Sequence, residues 1–140
     1  MTTYTGKCHC GETQWEVTLQ PEQASHVLCH CNTCKALSGG AFTLNQIVPA
    51  DAIKFTKGGD ALKKYTYKGD SGHDVNCYFC PTCSAHPYHQ QTVMPDKIIL
   101  RTVLLDKAAD FDAAAEIYGK DKLKWEKEQA PVTFPVLPPQ

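Results

Sequence analysis

The eight cysteines of this 140-residue chain fall in three tight clusters: Cys8-His9-Cys10, then Cys29-His30-Cys31-Asn32-Thr33-Cys34, then Cys77-Tyr78-Phe79-Cys80-Pro81-Thr82-Cys83. Thiols a few residues apart chelate one soft cation more readily than they span a fold as disulfides, because C-x-C and C-x-x-C loops present two sulfurs to one ion. The fold is therefore expected to gather stretches of sequence more than twenty residues apart around metal.

Counting ligands narrows the arrangement. Cys80-Pro81-Thr82-Cys83 is a knuckle whose proline pre-sets φ; it supplies two ligands of a closed four-coordinate zinc site and needs a second pair. Cys29, Cys31 and Cys34 form a compact trio that can converge on an ion of its own. Assigning the trio its own zinc leaves Cys8, Cys10, Cys80 and Cys83 as a Cys₄ site, with Cys77 over. A zinc with three protein ligands keeps one position for water or substrate, the pattern of a catalytic site. Closure of the trio by Cys77 would instead give two structural zincs. Cys77 shares a strand face with Val75 and Phe79, where a free cysteine behaves as a small hydrophobe, which favours the four-plus-three division. His9 and His30 lie between metal cysteines and are expected to point away from the ions. His86 and His89 lie just past the knuckle as ligands, acid/base groups or surface residues; His26 and His73 have no local support for a role.

Fourteen basic against fifteen acidic residues give a net charge of −1, so no basic surface argues for nucleic acid or an anionic membrane. The stretch Met1-Thr-Thr-Tyr-Thr-Gly-Lys7 has no apolar signal core, and no apolar run is long enough to span a bilayer. A cytoplasmic location is expected, where thiols stay reduced and clustered cysteines serve as metal ligands.

Residues 13–19 alternate, with Trp15, Val17 and Leu19 on one face, which predicts a strand. Further strands are expected over 24–31, 41–48, 54–56, 62–67, 74–79 and 97–105, with a short helical turn over 35–40 closed by Gly39-Gly40. The spacing of Phe111, Ala114, Ala115 and Tyr118 predicts a short helix over 110–118. The expected organisation is one domain over residues 1–130 with an extended proline-rich tail over 131–140.

The segments Gly6-Lys7-Cys8-His9-Cys10-Gly11, Cys29-His30-Cys31-Asn32-Thr33-Cys34, Ser38-Gly39-Gly40-Ala41-Phe42, Phe79-Cys80-Pro81-Thr82-Cys83 and Glu116-Ile117-Tyr118 with Trp125 resemble, in order and spacing, the glutathione-dependent formaldehyde-activating enzyme family, to which centromere protein V is related. The resemblance implies a mainly β, zinc-binding "β-tent" of several small antiparallel sheets with little helix. It implies two Zn²⁺ per chain, a structural one at Cys8, Cys10, Cys80 and Cys83 and a catalytic-type one at Cys29, Cys31 and Cys34. It also implies a carbon–sulfur lyase-type activity on glutathione and formaldehyde, as an S-hydroxymethylglutathione synthase, or on another glutathione adduct.

In that setting the expected glutathione-side residues are Ser38, Gly39 and Lys35, the last pairing a glutathione carboxylate; the expected proton carriers are His30, His89 or water. Two departures from the family pattern are expected close to the substrate cleft. Ser84 follows the knuckle where Gly is usual, which suggests an altered turn, and Thr102-Val103-Leu104-Leu105-Asp106 lacks the family's glycine. A non-catalytic, zinc-stabilised binding module is the alternative, since tent folds also occur in Rab-binding chaperones.

Overall fold

The computed structural model describes residues 1–139. Its strands are β1 (Thr2–Lys7), β2 (Gln14–Leu19), β3 (Ser25–Cys29), β4 (Thr43–Pro49), β5 (Ile53–Lys57), β6 (Lys63–Lys68), β7 (Asp74–Phe79), β8 (Tyr88–Gln91), β9 (Lys97–Arg101) and β10 (Asp112–Ile117), with one α-helix, α1 (Asn32–Ser38). The mainly β character read from the sequence is what the chain adopts. Two sheets form: a three-stranded one in the order β1-β2-β5 and a seven-stranded one in the order β10-β3-β4-β9-β8-β7-β6. Among the described residues no helix is long and apolar enough to cross a membrane.

Alternation in β2 drives the packing of the sheets. Trp15, Val17 and Leu19 are buried, and Val17 and Leu19 join Val48 of β4 with Ile98 and Leu100 of β9 in one apolar core. At about 25 cal/mol per Å² of apolar surface removed from water, this core supplies the main force holding sheet to sheet. Opposite Trp15 stands Gly6; a Cβ there would lie 2.2 Å from the indole Nε1, so only glycine lets the ring close over β1.

The helix expected over 110–118 is a strand. β10 runs parallel to β3, pairing Asp112 with Ser25 and Ile117 with Cys29, with a register shift between Ala113 and Ala115. The short alanine side chains satisfy a helical or a pleated spacing equally. The free edge of β3 and the contacts of Phe111, edge-on to Tyr4 at 5.2 Å, select the pleated one. The C-terminal stretch is tied to the same strand: Glu116 N–H donates to the Val132 carbonyl, Phe134 N–H to the Glu116 carbonyl and Tyr118 N–H to the Val136 carbonyl. Gln140, the last residue of the expected tail, lies outside the described residues.

Candidate metal centres and the clefts beside them

The turn after β1 and the knuckle after β7 face each other across the two sheets. They bring Cys8, Cys10, Cys80 and Cys83 together with all four sulfurs within 4.8 Å of one another. Cys8 and Cys10 Sγ are 3.5 Å apart, and Cys10 and Cys80 Sγ 3.6 Å. A tetrahedron of sulfurs about 2.3 Å from a central zinc has edges of about 3.8 Å, so the donor set fits the ion. Thr13 N–H donates to Cys8 Sγ at 3.3 Å. Burial alone would raise the Cys8 thiol, but this N–H and the neighbouring thiols bring it down to about 6. The knuckle is closed by Ser84 N–H donating to the Cys80 carbonyl at 2.9 Å. Ser84 holds φ at 65°, so the turn a glycine would make is kept rather than altered, at the cost of crowding between its Cβ and the backbone.

The second cluster grows from the end of β3 into α1. Cys29 is the last residue of β3, Cys31 is the N-cap of α1, and Cys34 lies one helical turn on; Cys34 N–H donates to Cys31 Sγ at 3.2 Å. α1 starts at Asn32 rather than Lys35 because the cap is a cysteine sulfur. It ends as expected, with Gly39 left-handed at φ 69° and its N–H on the Lys35 carbonyl. The three sulfurs lie within 4.8 Å of one another, and Cys77 belongs to neither cluster. Cys77 is 3% exposed on β7, and burial pushes its thiol up to about 11, the state of a buried neutral side chain. Within the trio, hydrogen bonds from the Cys29 and Cys31 thiols hold Cys34 far below the usual thiol range, with Thr43 and the Arg101 guanidinium assisting.

Of two clefts in this region the smaller is lined by Cys31 of the trio, whereas the larger is lined by Cys83 of the four-sulfur cluster and adjoins the trio through Thr43, the strand partner of Cys29. The larger, about 430 Å³, is lined among others by Leu37, Phe42, Leu44, Val103, Arg101 and His86. The smaller, about 240 Å³, is lined by Cys31 together with Lys68, Asp70, Tyr118, Lys120 and Asp121 among others. Both departures from the family pattern lie at the larger cleft, through Ser84 and through Val103 and Leu104.

The expected glutathione-side residues divide between the clefts. Ser38 lines the larger one and its Oγ accepts the Gly40 N–H at 3.1 Å; Gly39 caps the helix beside it. Lys35 Nζ donates to the carbonyl of Asp121, a wall of the smaller cleft.

The histidines separate by burial and partner. His30 is fully buried and turned toward Glu116, and His26 bonds Thr102 Oγ1 at 2.6 Å and the Ala108 carbonyl at 2.8 Å, while His9 and His73 are exposed. His86 and His89 pack edge to face at 5.6 Å with His86 Nε2 and His89 Nδ1 buried and unpartnered. Burial, with Arg101 adding to it, pushes His86 down to about 3 and His89 to about 4, so both rings are neutral at physiological pH. Of the six histidines, His86 is the one that lines the larger cleft.

Three residues of this region were not singled out by the sequence reading. Arg101 is 6% exposed and donates to Asn45 Oδ1 at 2.7 Å. Its one signal is a cation closing the apolar run Ile98-Ile99-Leu100. Thr43 faces Cys29 across β3 and β4 and carries no signal of its own. Glu116, fully buried, was noticed only as part of a motif.

The model of the family described as glutathione-dependent formaldehyde-activating enzyme matches residues 3–121. The chain belongs to this family. It is 31% identical over 80 residues to a Penicillium rubens protein, and 32% over 79 residues to one from Phaeosphaeria nodorum; both are provisionally named glutathione-dependent formaldehyde-activating enzymes. These matches cover 57% and 56% of the chain and 40% of each relative, so they span well under half of the fungal proteins. A crystal structure of a Rhodobacter sphaeroides protein shares the fold, with a TM-score of 0.58 at 24% identity over 73% of this chain and 87% of that one. The family is named for glutathione and formaldehyde, and the two cysteine clusters of this chain are sites able to hold metal.

Proposed function

We propose that this chain is a zinc-dependent, carbon–sulfur lyase-type enzyme that joins the thiol of glutathione to formaldehyde or another small carbonyl compound, or cleaves the resulting adduct, in the reducing cytosol. The observation that carries this reading is the unequal pair of clusters, four sulfurs in one and three in the other. Cys8, Cys10, Cys80 and Cys83 would hold a structural Zn²⁺ that staples the two sheets. Cys29, Cys31 and Cys34 would hold a second one beside both clefts. A zinc bound there supplies Lewis acidity and lowers the pKa of a thiol brought to it.

The chain's own groups supply the rest. Glutathione carries two carboxylates and an ammonium, and the smaller cleft offers both signs of charge: Lys68 and Lys120, Asp70 and Asp121. Lys68 pairs with Asp74 at 2.7 Å and Lys120 with Asp121 at 3.2 Å. Such surface pairs contribute about 1 kcal/mol or less and exchange readily for a ligand's charges. Lys35 fixes the Asp121 backbone at this cleft, while Ser38 borders the other and Gly39 follows it as the cap of α1. Arg101 offsets negative charge at the trio, and neutral His86, at the edge of the larger cleft, is held too weakly basic to take a thiol's proton, which leaves water as the proton carrier.

Exchange NMR on glutathione with ¹³C-formaldehyde tests the reading. The zinc-loaded protein should speed interconversion with the hydroxymethyl adduct, and Cys34→Ser should abolish the effect while leaving the fold intact. A wild-type protein with two zincs and no effect on that rate or on other glutathione–aldehyde pairs would contradict it.

A further inference from the structure

The larger cleft is a poor match for glutathione and a poor match for formaldehyde. Half of its twelve lining residues are apolar: Leu37, Phe42, Leu44, Ala85, Val103 and Leu104. None is a carboxylate, so a glutathione ammonium would find no partner there. A one-carbon aldehyde fills little more than the ~30 Å³ a water molecule occupies in the liquid, against about 430 Å³ in the cleft. Leu37 and Val103 are 43% and 52% exposed, which is apolar surface held open to solvent at the rim.

The trio touches the charged cleft through Cys31 and adjoins the apolar one through Thr43, which pairs with Cys29 across β3 and β4 and lines that cleft together with Arg101. With the sulfurs within 4.8 Å of one another, a ligand sulfur held at the trio can have charged groups on one side and a hydrocarbon on the other.

We infer that the apolar cleft binds the hydrocarbon substituent of the carbonyl partner, so that the ligand of this chain is the adduct of glutathione with an aldehyde several carbons long. This rests on the glutathione reading of the trio and the charged cleft. The addition balances without an oxidant: the carbon–sulfur bond forms as the carbonyl π bond breaks, and the thiol proton passes by way of water to the former carbonyl oxygen, now a hydroxyl.

Two stable thioethers separate this inference from the reading beneath it. S-methylglutathione and S-hexylglutathione differ only in five methylenes, each worth about fourfold in affinity when fully buried. Calorimetry on the zinc-loaded chain should give S-hexylglutathione an affinity at least about tenfold higher, allowing for partial burial and chain ordering. Val103→Ser and Leu37→Ser, both at exposed positions, should each weaken the hexyl ligand about threefold and leave the methyl ligand unchanged. Equal binding of the two ligands, or hexyl binding indifferent to both substitutions, would overturn the inference alone. Binding of neither would overturn it together with the glutathione reading.

Discussion

His30 Nε2 lies 2.9 Å from Glu116 Oε1, with both side chains at 0% exposure. The contact ties the trio loop to β10. The same carboxylate oxygen is 3.0 Å from Lys122 Nζ, and Oε2 accepts the N–H groups of Gln129 and Ala130 and the hydroxyl of Thr133. Glu126 Oε2 stands 3.6 Å from the other ring nitrogen of His30. One buried carboxylate thus organises the chain from residue 122 to 133 and braces the loop carrying Cys29 and Cys31.

Truncating that carboxylate strands a buried histidine and a largely buried ammonium. Glu116→Ala is expected to cost about 3–5 kcal/mol, the range for breaking a buried ionic group on one side. Urea unfolding of the zinc-loaded protein measures it; a loss below about 0.5 kcal/mol would show that the network contributes nothing to the fold.

The two neutral histidines give stability a definite pH slope. Their folded pKa values, about 3 for His86 and about 4 for His89, lie below the ordinary value of 6.5. Below about pH 6.5 the unfolded chain therefore binds two more protons than the folded one. Their contribution is fully present above that pH and is lost as pH falls toward 4, at about 1.4 kcal/mol per pH unit per ring. Unfolding titrations between about pH 6.5 and 5 should show that His86→Gln flattens the slope by about one proton. An unchanged slope would mean that His86 does not stay neutral in the fold.

Ser84 is held at φ 65° by the knuckle. Relief of a left-handed non-glycine residue gains about 1–2 kcal/mol, and the extra freedom of glycine in the unfolded chain returns about 0.5–1 kcal/mol. Ser84→Gly should thus stabilise the protein by about 0.5 kcal/mol, read as a higher urea midpoint at unchanged slope. A lower midpoint would show that the serine hydroxyl, which donates to the Cys83 carbonyl, outweighs the strain.

The two cysteine clusters should fail differently. Cys83→Ser removes a ligand from the site joining both sheets, and structural zinc contributes on the order of 10 kcal/mol to folding. That variant should lose its cooperative thermal transition. Cys34→Ser should lose one metal and keep its circular dichroism spectrum. Identical behaviour of the two would contradict the division into a staple and a reactive site.

The sequence reading succeeded where the signal is local. Alternation placed β2 and β7, the spacing of the trio and the knuckle anticipated two groups of converging cysteine sulfurs, and Gly39 marked the end of α1. It failed where the deciding partner is distant. β10 read as helix because Ala114 and Ala115 fit either period, and only pairing with β3, more than eighty residues earlier, selects the strand. The burial of His30 likewise depends on Glu116, 86 positions away. Ser84 suggested a changed turn, yet the backbone there keeps the left-handed φ of 65° that closes the knuckle.

The most direct measurement is native mass spectrometry of the reduced, full-length chain titrated with glutathione. Two zincs per chain, with either a saturable glutathione adduct or loss of one zinc as glutathione binds, is the predicted result, because the trio leaves a ligand position that a thiol can take. A single zinc, or two zincs indifferent to glutathione, would contradict an open three-cysteine site.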